Sequence, residues 1–309
     1  MGTLRVEIPE TFIAENAKNI INILSSSYIK SMTATVDKVV FDFSKSEEIS
    51  PVGLLYIKMW RDELNERGKT TYYKKSDKAI ESYLRKMRLL PGLGKYEEEQ
   101  VAKEFFYSIH LCNNGDECGD VQKEIISNVV QRGKVKDTTY SSVDYMLNEL
   151  WDNAGAHGYG CYDSLDYPKP IYMCALEYDD HFEISIGDRG QGIYSSLNKK
   201  NPNIKNNRQA LISSIENGVS GHPNGSPGFG LFCSAEFIRK GQGNLSIWSS
   251  GCHLAISSAN DKIYTSNFNC GTLINITFNK TADMPFEEIV GTYETNDYIE
   301  EMIGGMFDE

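Results

Sequence analysis

The stretch LNELWDNAGAHGYG, residues 147–160, decides how this chain is read. Glu149 and Asn153 stand four residues apart, while Val143, Met146, Leu147, Leu150 and Ala154 recur around them at helical spacing. A helix therefore presents an acid and an amide on one stripe and runs into a His-Gly sequence. His157 continues that stripe by a further four residues.

Three glycine-containing signals come next in order. ISIGDRGQGI (184–193) sets Asp188 at the end of a strand with Gly190 and Gly192 behind it. GSPGFGL (225–231) sets Gly228 and Gly230 before a helix that begins at Leu231, and CGTLINITF (270–278) sets Thr272 at the start of a strand. Glycines before a helix let backbone amides approach a phosphate, and a helix N-terminus favours negative charge. Each signal alone also fits an ordinary tight turn.

Composition narrows the classes. The 309 residues suffice for two ordinary domains or one large one, and 40% hydrophobic with 24% charged residues is a globular composition. A formal charge of −12 argues against a nucleic-acid partner, which needs a basic surface. No apolar run reaches the roughly 18 residues of a transmembrane helix, and MGTLRVEIPE lacks the basic-then-apolar pattern of a secretory signal. The seven cysteines (112, 118, 161, 174, 233, 252 and 270) contain no CxxC pair, so they read as reduced thiols of a cytoplasmic protein and not as a zinc site.

The hydrophobic pattern is that of an α/β (α+β) chain. In residues 1–95, strand-like LRVEIPE, DKVVFDFS and KTTYYK alternate with helix-like FIAENAKNIINILSSSYI, VGLLYIKMWRDELNERG and SDKAIESYLRKMRLL, the last with Ser76 as its N-cap. Residues 96–120 read as a connecting region in which EFFYSIHL is a strand of either neighbour. In residues 121–280, two helices precede an antiparallel pair, PIYMCALEYD and HFEISIGD, turning at Asp179 and Asp180. A polar segment, 194–228, holds one helix, RQALISSIENG; beyond it come the helix GLFCSAEFIRKGQG and strands NLSIWSSG, HLAISS and GTLINITFN. Residues 281–309 carry nine acidic residues and no Lys or Arg, which reads as an acidic tail, either a solvated helix or a docking segment.

ExxxNA on a helix, DxGxG after a strand, GxGL before a helix and GT on a strand, in that order, resemble the Bergerat-type (GHKL) ATP-binding fold of gyrase, the ninety-kilodalton heat-shock chaperone, histidine kinases and mismatch-repair ATPases. No P-loop motif GxxxxGK[ST] occurs. The resemblance implies a two-layer α/β sandwich over residues 121–280, with ATP and Mg²⁺ as cofactors. Asn153 would hold Mg²⁺. Asp188 would accept a hydrogen bond from the adenine amino group, supported by Thr272. Gly190 and Gly192 would turn beneath the base, Gly228, Gly230 and Leu231 would lie at the phosphates, and residues 194–227 would form an ATP lid. Glu149 would align and deprotonate the attacking water. The NAxxHG form is similar to anti-sigma-factor serine kinases, which raises a nucleotide or water contact for His157 against ordinary helix-end packing. Lys199, Lys200, Lys205 and Arg208 in the lid read as solvated surface ahead of phosphate ligands.

Within residues 1–95, a hydrophobic strand, a turn, a helix entered at Gly53, a further strand and a helix ending in Leu-x-x-Gly-Leu resemble a STAS domain, the anti-sigma-factor antagonist fold. The antagonist turn usually reads Asp-Ser-x-Gly, with a phosphorylated serine. Here it reads Ser50-Pro51-Val52-Gly53, so proline stands at the acceptor position and the unit reads as an interaction or packing module. The resulting expectation is an Mg²⁺-dependent ATPase whose nucleotide state switches the lid and a protein partner, with ATP-dependent self-association as in related ATPases. A serine/threonine kinase acting on a separate protein and a non-hydrolysing ATP/ADP sensor are the alternatives.

Overall fold

The computed structural model describes residues 2–74, 78–90, 106–131, 135–161, 166–221 and 228–293. It is a mixed α/β structure. The N-terminal part runs β1 (Gly2–Glu7), β2 (Thr11–Phe12), α1 (Ala17–Ser31), β3 (Val36–Asp42), β4 (Glu48–Ile49), α2 (Pro51–Glu66), β5 (Thr70–Lys74) and α3 (Lys78–Lys86). Strands β1, β3 and β5 form a parallel sheet with β3 central, and β2 bridges β4. The strand–helix alternation appears as the sequence predicts; β2 and β4 are too short to leave a periodic signal. Helix α2 begins at Pro51 and not at Gly53, because proline's fixed φ and missing N–H suit the first helical position. Gly53 therefore lies inside the helix, where a Cβ would stand 2.9 Å from the Phe12 ring.

The remainder runs β6 (Phe106–Cys112), α4 (Gly115–Gln131), α5 (Asp137–Asn153), β7 (Ile171–Glu177), β8 (His181–Asp188), α6 (Gly192–Lys200), α7 (Asn207–Ser213), α8 (Gly230–Lys240), β9 (Asn244–Ser249), β10 (Cys252–Ser257), β11 (Lys262–Thr265), β12 (Thr272–Asn279) and α9 (Phe286–Tyr293). Its seven strands form one antiparallel sheet in the order β11-β10-β9-β12-β8-β7-β6.

Four details differ from the sequence reading. Phe106–Cys112, within the expected connecting region, is the edge strand of the large sheet, and α4 begins at Gly115. The polar segment after Gly192 holds two helices, α6 and α7, because Ile193 and Leu197 supply a short apolar stripe among polar residues. Lys262–Thr265 adds a strand, β11, to the sheet edge. The expected acidic tail starts as core: Ala282, Met284, Phe286, Ile289 and Val290 are buried, since α9 turns its apolar stripe inward despite its acids. The expected Ser76 cap, residues 91–105, residues 222–227 of the expected lid and residues 294–309 of the tail lie outside the described residues. No helix among the described residues is long and apolar enough to cross a membrane.

Strand alternation gives the large sheet two buried faces. Phe182, Ile184 and Ile186 of β8 join Val143, Met146 and Leu150 of α5 and Phe237 of α8 in one core. On the opposite face Tyr172, Cys174, Trp248 and Leu273 join Val52, Leu55 and Met59 of α2 in a second core. Each such aliphatic side chain contributes about 1.5–3 kcal/mol when fully buried, so α2 is fastened to the sheet by its whole inner face. Burial of every residue from Pro51 to Trp60 results from this position between two sheets.

One carboxylate is enclosed in that second face. Glu183, only 1% exposed, accepts hydrogen bonds from Ser50 Oγ (2.8 Å) and from the Val52 amide (3.2 Å). Ser50 stands at the N-cap of α2 but makes no side-chain cap bond to its own helix. A strand of the large sheet caps the helix instead, with its acid at the positive end of the helix dipole. Burial raises the Glu183 carboxyl from 4.5 to about 7, against the opposing pull of those two donors. A folded-state pKa above the unfolded value means that the native protein holds the proton longer. The associated stability is complete below about 4.5 and is lost as pH rises through about 7. The melting temperature should therefore fall between about pH 5 and about pH 8, and fall less in Glu183→Gln. Parallel melting curves for wild type and variant across that range would refute this assignment.

Candidate functional site

The sequence-predicted residues converge on one cleft between the helical layer and the end of the large sheet. Glu149, Asn153, Asp188, Gly192, Gly228, Gly230, Leu231 and Thr272 line it; Gly190 packs immediately behind. Its void, open mouth included, is about 1070 Å³.

Helix α5 supplies Glu149 and Asn153. Its inner face is fixed by Val143, Met146, Leu147 and Leu150 and by two hydroxyls, Thr139 and Ser142, which donate to the Ala282 and Met284 carbonyls. Beyond Asn153 the helix widens into a π turn, Ala154–Tyr159, closed by Gly160 in the left-handed region (φ 76°). Such a turn rotates the residues beyond it out of the regular helical phase. His157 therefore leaves the straight helical stripe expected from its spacing. It still lines the cleft, close to Gly221, while its carbonyl accepts from the Gln191 side-chain Nε2.

The deep end is built around Asp188. The β8–β12 register sets Thr272 directly opposite Asp188, and β9 sets Ser249 opposite Thr272 from the other side. The Asp188 carboxylate is 4% exposed and accepts from the Gly190 amide at 2.7 Å. Burial lifts its pKa from 3.8 to about 7; the bonds from Gly190 and Thr272 pull the other way. Close backbone approach makes this enclosure. A Cβ at Gly190 would lie 2.3 Å from the Gly158 carbonyl, and one at Gly158 would lie 3.1 Å from Asp188 Oδ1. Gly271 adopts φ +81°, and a Cβ there would fall 2.0 Å from the Asp188 carbonyl. Ser249 and the glycines at 158 and 271 also shape this end of the cleft, and sequence reasoning did not single them out. Gly271 was visible as the glycine preceding Thr272, whereas Ser249 has no local signal.

The mouth is built around the N-terminus of α8. Gly230 begins this helix, and a Cβ on it would lie 1.9 Å from Glu149 Oε2. The acid thus packs against the helix end, where unpaired amides and the dipole favour negative charge. Gly228, at φ +73°, brings its chain against the backbone of Val219 and Ser220. Leu150, Ala154, Ile186, Ile193 and Ile274 give the cleft apolar walls between its two polar ends.

The cations of the 194–227 segment do not line this cleft. Lys199 Nζ donates to Gln191, Lys205 Nζ to the Pro202 carbonyl and Arg208 to the Ile263 carbonyl; Lys199 and Lys200 border a neighbouring hollow beside Gly221. Among the described residues no group of three or more His, Cys, Asp or Glu side chains could hold a metal ion. Asn153 offers one amide oxygen, a donor suited to a hard cation that takes its other ligands from water and phosphates.

No protein-family model matches the chain, and no curated protein matches it in sequence.

Replacing Gly271 by alanine tests how the deep end is made. Positive φ and the clash with the Asp188 carbonyl should cost about 1–3 kcal/mol of unfolding free energy in a denaturant titration. An unchanged midpoint would mean that the strand end is not constrained as described.

Proposed function

We propose that the chain binds ATP with Mg²⁺ and hydrolyses it slowly, the nucleotide state switching the 194–227 segment and the binding of a protein partner. The observation that carries this reading is the polarity of the cleft. A buried carboxylate opposite a threonine closes one end, a helix N-terminus with an adjacent acid and amide forms the other, and apolar walls lie between. A purine suits the middle, its amino group suits Asp188, and phosphates suit the amides at Gly228 and Gly230.

The finer architecture belongs to the same proposal: a STAS-like unit in residues 1–95 and a Bergerat-type unit in residues 121–280. Support comes from a helical layer on an antiparallel sheet, with the four motifs at one cleft. A cytoplasmic location and ATP-dependent dimerisation are part of this reading.

In the proposed reaction Asn153 would hold Mg²⁺, which when bound neutralises phosphate charge. Asp188 and Thr272 orient the base. Glu149 accepts a proton from water as that oxygen attacks the γ-phosphorus; the bond to ADP breaks, and ADP and inorganic phosphate leave. The α8 amides face the developing negative charge, and Gly230 leaves room for the Glu149 carboxylate. Self-phosphorylation at the STAS-like turn is disfavoured, because Ser50 is buried and donates its hydroxyl hydrogen bond to Glu183.

Phosphate release from γ-labelled ATP with Mg²⁺ tests this. Wild type should turn over, and Glu149→Gln should bind ATP while losing roughly 10²-fold or more of the rate. Equal rates in both would remove Glu149 as the base. Binding without release in the wild type would favour a sensor, or a kinase awaiting a protein substrate. ATP affinity should weaken as pH falls through about 7, since protonated Asp188 no longer offers a carboxylate to the base amino group. Affinity that is flat with pH in wild type and Asp188→Asn alike would contradict that role.

A further inference from the structure

The deep end of the cleft is braced from outside by the N-terminal unit. Asp188 has sequence neighbours that both reach α2. A Cβ on Gly187 would lie 2.6 Å from Met59 Sδ, and the Arg189 guanidinium pairs with Glu66 at the last turn of α2. The Arg189 side chain is only 4% exposed, and its Nε and Nη1 have no hydrogen-bond partner among the described residues. Glu66 is therefore its principal fixed contact, with the Tyr172 ring 5.8 Å from the guanidinium carbon. The Arg189 amide donates to Tyr159 Oη (3.0 Å), which ties the same residue to the π turn.

The chain leading to Thr272 is held in the same way. Asn22 Oδ1 on α1 accepts from Ser266 Oγ and from the Asn267 amide, each at 3.3 Å. Asn267 Nδ2 returns a bond to Ser25 Oγ (3.1 Å), and Phe268 packs on Tyr56. Both chain segments that carry the base-facing pair thus end on α1 and α2.

We propose that Glu66, through its ion pair with Arg189, is a positioning residue that sets how the cleft reads the exocyclic amine of a purine. The N-terminal unit is then a working part of the nucleotide site. The inference rests on the ATP-binding reading above. Physically, removing the Glu66 carboxylate leaves a buried guanidinium without its counter-charge. Arg189 then shifts toward water and carries with it the strand end that fixes Asp188. The phosphate end, built on α5 and α8, does not touch Glu66 and is unaffected.

The test is equilibrium binding of ATP and of inosine triphosphate, which lacks the amine, to the full chain as wild type, Glu66→Ala, Glu66→Gln and Asp188→Asn. Glu66→Ala should weaken ATP roughly tenfold, within the usual range of coupling between linked sites. It should leave inosine triphosphate nearly unchanged and preserve the rate at saturating ATP. Glu66→Gln, which keeps an acceptor on a half-exposed side chain, should fall between and serves if the alanine variant does not fold. Wild-type ATP affinity in both Glu66 variants, with loss in Asp188→Asn, overturns this inference alone. An equal loss for both nucleotides reduces the pair to a fold contact and also overturns it. Wild-type ATP affinity in Asp188→Asn overturns the underlying reading instead.

Discussion

Closure of both faces of the seven-stranded sheet is the constraint on which the rest of the molecule depends. An antiparallel sheet commonly leaves one face to water. Here α4, α5, α8 and α9 cover one face and α2 covers the other, so the central strands are buried in both directions. A strand held on both sides has little freedom at its end, and the end of β8 is where Asp188 sits. That confinement, and the glycine contacts around it, keep a carboxyl buried with its pKa raised to about 7.

The same arrangement explains why the two ends of the cleft differ in character. The deep end is made of sheet register and backbone contact, which resist local adjustment. Thr272 faces Asp188 because β12 pairs with β8 along its whole length. The mouth is made of a helix terminus, a glycine and a long acidic side chain, which adjust by rotation about single bonds. A rigid base site with an adaptable phosphate site is the division that the proposed ATP hydrolysis would require, since its ligand changes at only one end. The second buried acid, Glu183, plays a different part: it joins the large sheet to the first turn of α2 and removes Ser50 from solvent.

Much of the candidate site was legible in the sequence, for a physical reason. Glu149 and Asn153 lie on one regular helix; backbone contact leaves no room for a side chain at Gly190 and Gly228, and the side chains of Ser249, Ser250 and Glu149 fill the space beside Gly192 and Gly230, so spacing and residue type carry the signal. The strand pair across Asp179 and Asp180 was legible as an apolar run and an alternating run separated by a polar turn. The π turn that carries His157 was not legible, because it leaves no mark in a 3.6-residue pattern. Helix α6 and strand β11 were missed because their apolar residues are few and set among polar ones. The contact between Arg189 and Glu66 joins residues 123 apart in sequence, and no local pattern encodes such a pairing. The docking of α2 on the sheet was not read from the sequence, although PVGLLYIKMW holds a single charged residue, Lys58.

The central claim is that Asp188, fixed opposite Thr272, reads the base of a bound adenine nucleotide. A crystal structure of the full chain with Mg²⁺ and a non-hydrolysable ATP analogue addresses it most directly. The account predicts the adenine amino group within hydrogen-bond distance of the Asp188 carboxylate, with the terminal phosphate at the N-terminus of α8. An analogue bound in the opposite sense, or outside this cleft, would contradict it.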